Sequence, residues 1–313
     1  GGTNEQNITD YLRRIFISDP GYKFAYSDLE RAESLCVAYL ARDEGYIAAH
    51  KSHDLHAMVA AWVFGIDESK AKEPFGATKF SYRDIAKRCA HATNYNATPQ
   101  GLEYAMKIPL DLARAFQARY FKAFPGIQAW HKEINFQLRE TGRLVTPFGR
   151  VRTFFERAWS PATLREAIAY TPQSMVADIL NTALYTVWKE LDGQGDVLLL
   201  KQVHDAILWE YRETPDRGEA QIKAVEKLMA VPITVHGSTF TIPTKTEVGY
   251  NWGHWIDAPA VAKSQAQGNK FVALNLNGIT EWGSDAERAQ SRKAPSGVFH
   301  NRVFGTYQRY SRA

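Results

Sequence analysis

The run from Leu198 to Tyr211 contains two apolar, strand-like segments that are separated by His204 and Asp205. A carboxylate inside a sheet is costly unless it is paired, hydrogen-bonded or bound to a cation. The pattern therefore predicts a β-hairpin with Asp205 at its turn. Two interpretations stay open for this stretch alone, an ordinary turn aspartate or a carboxylate that binds a ligand.

A second carboxylate has similar surroundings near the start of the chain. Lys23 to Asp28 read as a short strand that ends in the acid, and residues 29–41 change to helical spacing with Glu33 one turn in. A junction between strand and helix is a usual place to present acids at the end of a sheet. The alternative for Asp28 is an ordinary helix N-cap.

One predicted helix, from about Phe80 to Tyr95, has an ordered row of side chains. Arg83, Lys87, His91 and Tyr95 recur every four residues and so share one side of the helix. Cations suit phosphates and rings suit a base, so the row indicates nucleotide binding. A solvated basic face is the alternative.

Size and composition restrict the class of protein. The chain has 313 residues, 45% of them hydrophobic, enough for one large or two modest domains. Its formal charge of +4 is mildly basic, so local clusters of charge matter more than the sum. Cys36 and Cys89 lack paired spacing, which indicates a reducing compartment. Without a long apolar run or signal peptide, we expect a cytoplasmic protein with no membrane partner.

His50, His53 and His56 recur at three-residue intervals, a spacing that suits one helical face. We expect no zinc there, because no fourth ligand follows at a recognised spacing. Asp54 is instead expected to cap a helix that begins at Leu55.

The remaining elements follow from periodicity and turn signals. We expect a loop over residues 65–78 and a helix stop at Asn96 and Pro99. The same signals predict helices over 110–124, 127–142, 160–190 and 215–230, a hairpin over 146–153 and a strand over 240–248.

A change in composition marks residues 256–313 as a C-terminal extension. From Arg288 onward it contains no Asp or Glu, and basic residues alternate with aromatic ones. This mixture suits single-stranded nucleic acid, and a plain solvated end is the alternative. The residues are Arg292, Lys293, Arg302, Arg309 and Arg312 with Phe299, Phe304, Tyr307 and Tyr310.

Together these motifs resemble the polymerase domain of family A DNA polymerases, the bacterial DNA polymerase I type, in the variant common among phages. Asp28 with Glu33 resembles motif A, the row from Arg83 to Tyr95 resembles motif B, and His204-Asp205 resembles motif C. Lesser signatures follow in the right order over about residues 4–255: Gln6-Asn7-Ile8, Asp54-Leu55-His56, Gly149-Arg150, Arg165 with Gln173, and Asn251-Trp252.

The resemblance implies an α+β fold of the right-hand polymerase type, with helical fingers inserted into a palm built on an antiparallel sheet. The palm would comprise residues 1–60 and 156–255, the fingers residues 61–155, and the basic extension residues 256–313. Family members carry a thumb and usually an exonuclease domain before the first signature. We therefore expect both to be absent here and processivity to be low unless a separate chain supplies the missing grip on DNA. Three explanations stay open: a fragment, a processed product, or one half of a split enzyme.

The resemblance also implies template-directed DNA synthesis by a two-metal mechanism. Asp28, Asp205 and the backbone carbonyl of Leu29 would hold two magnesium ions, or manganese, and carboxylates with phosphates and water suit magnesium. Arg83 and Lys87 would bind the triphosphate, and Lys87 would give a proton to the leaving pyrophosphate.

The remaining site residues would recognise the sugar, the base and the primer-template DNA. His91 would lie by the incoming nucleotide, Tyr95 against the template, and Glu33 in the space of a ribose 2′-hydroxyl, which favours deoxynucleoside triphosphates. The expected DNA contacts are Arg150, Arg165, Gln173, His204, Gln6 and Asn7.

Four positions depart from the family pattern. Leu29-Glu30 stand where Tyr-Ser is usual, and Ala206 replaces a second acid after Asp205. His91 replaces Phe or Tyr. Histidine stacks less well and can become cationic at mildly acidic pH, which predicts tighter nucleotide binding at pH 6 than at pH 8. Two alternatives stay open: a nucleic-acid-binding subunit without turnover, and an RNA-synthesising relative, against which Glu33 argues.

Overall fold

The computed structural model describes residues 8–257 apart from 9, 14, 52–53, 77, 79, 156–159, 193–196 and 213–217. Gln6, Asn7, His53 and nearly all of the extension lie outside the described residues. The helices are α1 (Asp10–Arg13), α2 (Ala32–Leu40), α3 (Glu44–His50), α4 (Leu55–Phe64), α5 (Tyr82–Asn94), α6 (Pro99–Met106), α7 (Leu110–Ala123), α8 (Pro125–Thr141), α9 (Pro161–Glu190) and α10 (Gly218–Met229). The strands are β1 (Tyr22–Leu29), β2 (Arg143–Val145), β3 (Val151–Thr153), β4 (Val197–Val203), β5 (Ala206–Arg212), β6 (Ile233–Val235), β7 (Ser238–Phe240), β8 (Thr244–Asn251) and β9 (His254–Asp257).

A five-stranded sheet in the order β4-β5-β1-β8-β9 organises the fold. Its neighbouring strands are all antiparallel, and β1 lies at the centre between β5 and β8. Since β1 precedes most of the helices and the other four strands follow them, both ends of the described chain build one sheet. The predicted α+β class with an antiparallel sheet is confirmed.

The sheet has one face against the main core and one face toward the candidate site. Successive β1 side chains alternate, so Ala25, Ser27 and Leu29 are fully buried on the inner face. Phe24 and Tyr26 point to the opposite face together with Asp28. The amphipathic pattern of β1 therefore fixes which face Asp28 occupies.

A second, smaller apolar cluster covers part of that opposite face. Phe24, Leu208 and Trp252 are buried in it, and Phe16 from the segment before β1 packs edge-on against Trp252. The Lys201 ammonium lies 4.7 Å from the centre of the Trp252 ring. This cluster ties the chain before β1 to the end of β8.

The hairpin predicted around Asp205 is confirmed. β4 and β5 are joined by the two residues His204 and Asp205, and Val203 pairs with Ala206. His204 has a φ of 54°, a left-handed conformation that tight hairpin turns require. The turn thus places Asp205 at the end of the sheet.

The predicted long helices are also confirmed within a few residues. α9 covers 30 residues, and its buried face includes Ile168, Ile179 and Ala183. Asp54 caps α4 as predicted, since its carboxylate accepts hydrogen bonds from the backbone of His56 and Ala57. Within the described residues, no helix has the length and apolar character that a bilayer span requires.

Several expectations about boundaries are wrong. α2 begins at Ala32 rather than residue 29, after Arg31 in a left-handed conformation. Asp28 is hence a strand residue, and its interpretation as a helix N-cap is wrong. Pro99 starts α6 instead of only ending the preceding helix, because proline is favoured in a first helical turn.

Other local corrections concern loops and strands. The expected loop after Gly65 contains a 3-10 helix over Glu68–Lys72. The strand expected over residues 240–248 is interrupted, since β7 ends at Phe240 and β8 begins at Thr244 after Pro243. β9 continues the sheet to Asp257, just past the expected boundary at residue 255.

The three-histidine pattern does not form one helical face. His50 is the last residue of α3 and His56 belongs to α4. His50 hydrogen-bonds the Ser34 hydroxyl at 2.8 Å and the Tyr46 carbonyl at 2.9 Å, so it has a structural role in the core.

Candidate active site

Asp28 and Asp205 meet at one end of the sheet although 177 residues separate them in sequence. Asp28 is the penultimate residue of β1, and Asp205 lies in the adjoining β4–β5 turn. Their side chains are close enough for the Asp205 carboxylate to affect the protonation of Asp28. The backbone N–H of Leu29 donates to the Asp205 carbonyl at 3.1 Å, which holds the turn against the end of β1.

The proximity of the two acids makes Asp28 harder to ionise. Burial and the adjacent Asp205 carboxylate raise the pKa of Asp28 to about 7. Burial and the Asp28 carboxylate likewise raise the pKa of Tyr26, on the same sheet face, to about 12. The end of β1 is therefore a region of excess negative potential that a cation would relieve.

The donor set suits a hard cation that brings other ligands with it. Carboxylate oxygens are the type of donor that magnesium prefers, and Leu29, whose carbonyl is the predicted third ligand, is the last residue of β1. Among the described residues, no group of three or more His, Cys, Asp and Glu side chains is arranged to hold a metal. Such a cation would thus depend on water and substrate phosphates for the rest of its coordination.

The cationic row lies on α5, whose start is fixed by a capping box. The Ser81 hydroxyl accepts from the Asp84 backbone, and the Asp84 carboxylate accepts from the Ser81 backbone. Arg83, near that start, donates to Asp54 through its Nε at 2.7 Å. Asp54 therefore both caps α4 and orients Arg83, while Lys87 one turn later is exposed.

His56, which the sequence indicated only as part of a lesser family signature, lies near Arg83 and Lys87 of this row in space. Its side chain is buried, and burial, with Arg83 and Lys87 next in effect, lowers its pKa to about 4. Its Nδ1 atom is buried without a hydrogen-bond partner. The site thus includes a neutral imidazole beside two cations, and the packing of α4 on α5 produces it.

Glu33, Tyr95 and His91 form a second cluster at the other end of α5. The Tyr95 hydroxyl donates to Oε2 of Glu33, and His91 Nδ1 lies 4.0 Å from the same oxygen. The rings of His91 and Tyr95 meet edge-on with centres 4.9 Å apart. Glu33 follows Asp28 by only five residues in sequence. Because Glu33 contacts His91 and Tyr95, the last turn of α5 lies near the segment that follows Asp28.

The four described residues predicted to contact DNA are spread over α9, the β2–β3 turn and the β4–β5 turn. Arg150 pairs with Asp178 on α9, with its Nε 3.2 Å from Oδ2. Arg165 lines a cavity of about 450 Å³ between α6, α7, α8 and α9. Gln173 and His204 are exposed.

Sequence reasoning also missed two charged residues next to the acids. Lys245 and Glu247 on β8 are the strand partners of Asp28 and Tyr26 and so share their sheet face. Their side chains pair at 3.3 Å. Strand pairing between distant segments brings them there, and no local sequence pattern reports such a pairing.

Comparisons with known proteins agree with this arrangement. The sequence profile of DNA polymerase family A matches residues 3–254. The chain is 31% identical over 252 residues to DNA polymerase I of Chloroflexus aurantiacus, covering 77% of this chain and 25% of that protein. It is 29% identical to the thermostable DNA polymerase I of Thermus aquaticus over 79% of this chain and 28% of that protein. The chain therefore spans about a quarter of the length of these relatives.

A solved structure has a similar fold. It is the polymerase domain of Pol1 from M. smegmatis in complex with a DNA primer-template and dNTP, with a TM-score of 0.68 and 26% identity. The similarity covers 80% of this chain and 44% of that one.

Proposed function

The chain belongs to DNA polymerase family A, and on that premise we propose that it carries the site for template-directed transfer of deoxynucleotides to a primer 3′-hydroxyl. The contact between Asp28 and Asp205 is the observation that supports this proposal most directly. Two carboxylates placed together at the end of a sheet suit the binding of metal and phosphate.

The proposed division into subdomains follows the chain. The five-stranded sheet, with parts from residues 1–60 and 156–255, is the palm, and residues 61–155 are the fingers. In support, α5, which contains the cationic row, lies in sequence between β1 and the other four strands of the sheet. Primer-template DNA and deoxynucleoside triphosphates, which the M. smegmatis structure contains, are the proposed partners.

Asp28, Asp205 and the Leu29 carbonyl would hold the metal ions, magnesium or manganese. When bound, such ions supply activation of the attacking hydroxyl and neutralisation of charge on the pyrophosphate. The chain itself contributes the geometry, because the Leu29 N–H bond to the Asp205 carbonyl keeps both acids at one point.

Arg83, Lys87 and His56 would bind the triphosphate. Arg83 is held by Asp54 at 2.7 Å, so its position is fixed before a nucleotide arrives. Lys87 is exposed and would donate a proton to the leaving pyrophosphate. His56 stays neutral at pH 7, and its Nδ1, which lacks a partner, would pair with the substrate.

Glu33 and Tyr95 would select the sugar. The hydroxyl of Tyr95 binds the Glu33 carboxylate, which fixes that carboxylate in the space proposed for a 2′-hydroxyl. This contact argues against the RNA-synthesising alternative, because a ribose would have to displace a held carboxylate. His91 is proposed to lie at the nucleotide and Tyr95 at the template.

Contacts to DNA are proposed for the exposed residues Arg165, Gln173 and His204 and for Arg150. Gln6 and Asn7, outside the described residues, stay predictions. So do the location in a bacterial or phage-infected cytoplasm and a separate chain that supplies a thumb.

A primer-extension assay with and without magnesium tests the proposal. We expect extension by the wild type with magnesium and none by Asp205→Ala, while Asp111→Ala, at an exposed helix position, behaves as wild type. Ala206 is fully buried where the family usually has a second acid, which favours a subunit without turnover as the second candidate. Bound duplex without extension by any of the three proteins would support that candidate.

A further inference from the structure

His91 lies in an unusual position with respect to the proposed sugar-selecting pair. Its Nδ1 is 4.0 Å from Oε2 of Glu33, the oxygen that already accepts the Tyr95 hydroxyl. At that distance a neutral imidazole makes no hydrogen bond to the carboxylate. A protonated imidazole is attracted to it, and a shift of about 1 Å would complete a charge-assisted bond.

The surroundings of His91 allow this change of charge. The side chain of His91 is 59% exposed and that of Glu33 is 33% exposed, so solvent protons reach both. The charged and titratable groups beside His91 include Glu33 on α2, Tyr95 at the end of α5, and Lys87 one turn earlier on α5. Glu33 carries the charge opposite to that of an imidazolium, whereas Lys87 is a second cation on the same side of α5.

We propose that His91 makes sugar discrimination depend on pH, because its cationic form binds Glu33 beside Tyr95 and holds the carboxylate where a ribose 2′-hydroxyl would lie. The inference rests on the proposed function and adds a residue that regulates its specificity. A carboxylate with two donors has less freedom to move away from a ribonucleotide than a carboxylate with one. Discrimination should therefore be greater at pH 6 than at pH 8.

The ratio of incorporation efficiencies isolates this effect. A cation at position 91 attracts the phosphates of ribonucleotides and deoxynucleotides equally, so that attraction cancels when kcat/KM for a deoxynucleotide is divided by kcat/KM for the matching ribonucleotide. Partly exposed ion pairs of this kind are weak, so we expect a ratio about two- to fivefold greater at pH 6 than at pH 8.

The test compares three proteins at pH 6, 7 and 8 on one primer-template. The wild type should show the rise, and His91→Phe should give a ratio that does not change with pH. His236→Asn is the matched control, because His236 is exposed in the β6–β7 turn with a φ of 50° that asparagine tolerates, and it should follow the wild type. A flat or falling ratio in the wild type overturns the proposal.

An equilibrium measurement separates this inference from the polymerase proposal. NMR titration of the His91 imidazole, assigned by its loss in His91→Phe, should give a lower pKa in Glu33→Gln than in the wild type. Equal pKa values would overturn the pairing even if extension is normal. If neither deoxynucleotides nor ribonucleotides are incorporated, the proposed function is contradicted, and the proposed discrimination between sugars with it. The NMR titration still shows in that case whether His91 pairs with Glu33.

Discussion

At the scale of single residues, the contact of Asp28 with Asp205 is unfavourable to folding. The two carboxylates are partly buried and repel each other, and the raised pKa of Asp28 reflects the cost of burial first and of that repulsion second. Such an arrangement is common where a site is organised for a ligand rather than for stability. Changing one acid should therefore affect stability and activity in opposite directions.

We predict that Asp205→Asn raises the free energy of unfolding by about 1–2 kcal/mol in EDTA at pH 8, since it removes the repulsion but keeps the shape. Urea denaturation measures the difference. Added magnesium should stabilise the wild type more than the variant, because one of its carboxylate ligands is then missing. A variant less stable than the wild type in EDTA would contradict this account, and Asp111→Asn controls for the loss of an exposed charge.

The buried histidines His50 and His56 make the free energy of unfolding depend on pH. Burial lowers the pKa values of His50 and His56 to about 4. The unfolded chain binds protons from about pH 6.5 downward while the folded chain does not, so stability is lost as the pH falls from 6.5 toward 4. Each histidine should contribute a loss on the order of 2 kcal/mol between pH 7 and pH 5.

Urea denaturation at pH 7 and pH 5 checks this, with His50→Asn compared to the wild type. The variant should lose less stability on acidification, although it is less stable at pH 7 because the Ser34 and Tyr46 contacts are broken. His236→Asn, at an exposed turn, should show the wild-type dependence. An equal loss in His50→Asn and the wild type would show that His50 does not titrate on unfolding.

At the scale of elements, the junction of α3 with α8 depends on one glycine. The backbone N–H of Gly126 donates to Oδ2 of Asp43 at 2.7 Å, and Oδ1 of Asp43 accepts from Tyr46 at the start of α3. A Cβ at position 126 would lie 2.7 Å from the carbonyl oxygen of Ala41. No side chain fits there without a shift of the backbone.

We predict that Gly126→Ala destabilises the protein by about 1–3 kcal/mol, as overpacked sites do. Gly101→Ala is the matched control, because its Cβ would meet the Thr98 hydroxyl at 3.4 Å within the exposed helix α6. Alanine there should be neutral or stabilise by up to about 1 kcal/mol. Thermal unfolding compares the two, and equal melting temperatures would contradict the close contact.

Local sequence patterns predicted most elements because their causes are local. Alternation gives β1, the apolar flanks of Asp205 give the hairpin, and the four-residue spacing gives the exposed side of α5. The first turn of α2 was misplaced because Arg31 adopts a left-handed conformation that propensity does not indicate. Contacts such as Arg83 with Asp54 depend on how α4 packs on α5, which periodicity does not specify.

At the scale of the whole molecule, one sheet draws its strands from both sides of the helical segment. Asp28 and Asp205 meet only once β1 pairs with β5, a contact between segments about 180 residues apart in sequence. The motif resemblance predicted this meeting, whereas physical patterning alone left both acids with ordinary interpretations. The neighbours Lys245 and Glu247 could not be predicted, since they depend on the register of β8 against β1.

The basic, aromatic C-terminal extension is predicted to contribute to the binding of single-stranded DNA. From residue 288 onward the sequence has six Lys and Arg residues and no acids. If these cations bind a single strand, removing residues 258–313 should weaken affinity for single-stranded DNA, and the slope of log affinity against log salt should fall by up to about 4. Fluorescence anisotropy over a salt series measures both quantities.

The melting temperature and the rate of extension at saturating primer-template should stay unchanged in the same truncated protein, because the acid pair and the main core lie within the described residues. Replacing the six cations by glutamine in the full chain is the matched control, and it should reproduce the altered salt slope. An unchanged slope in both proteins would show that the extension does not bind DNA. A slower rate of primer extension at saturating primer-template would instead show that the C-terminal extension contributes to the site itself.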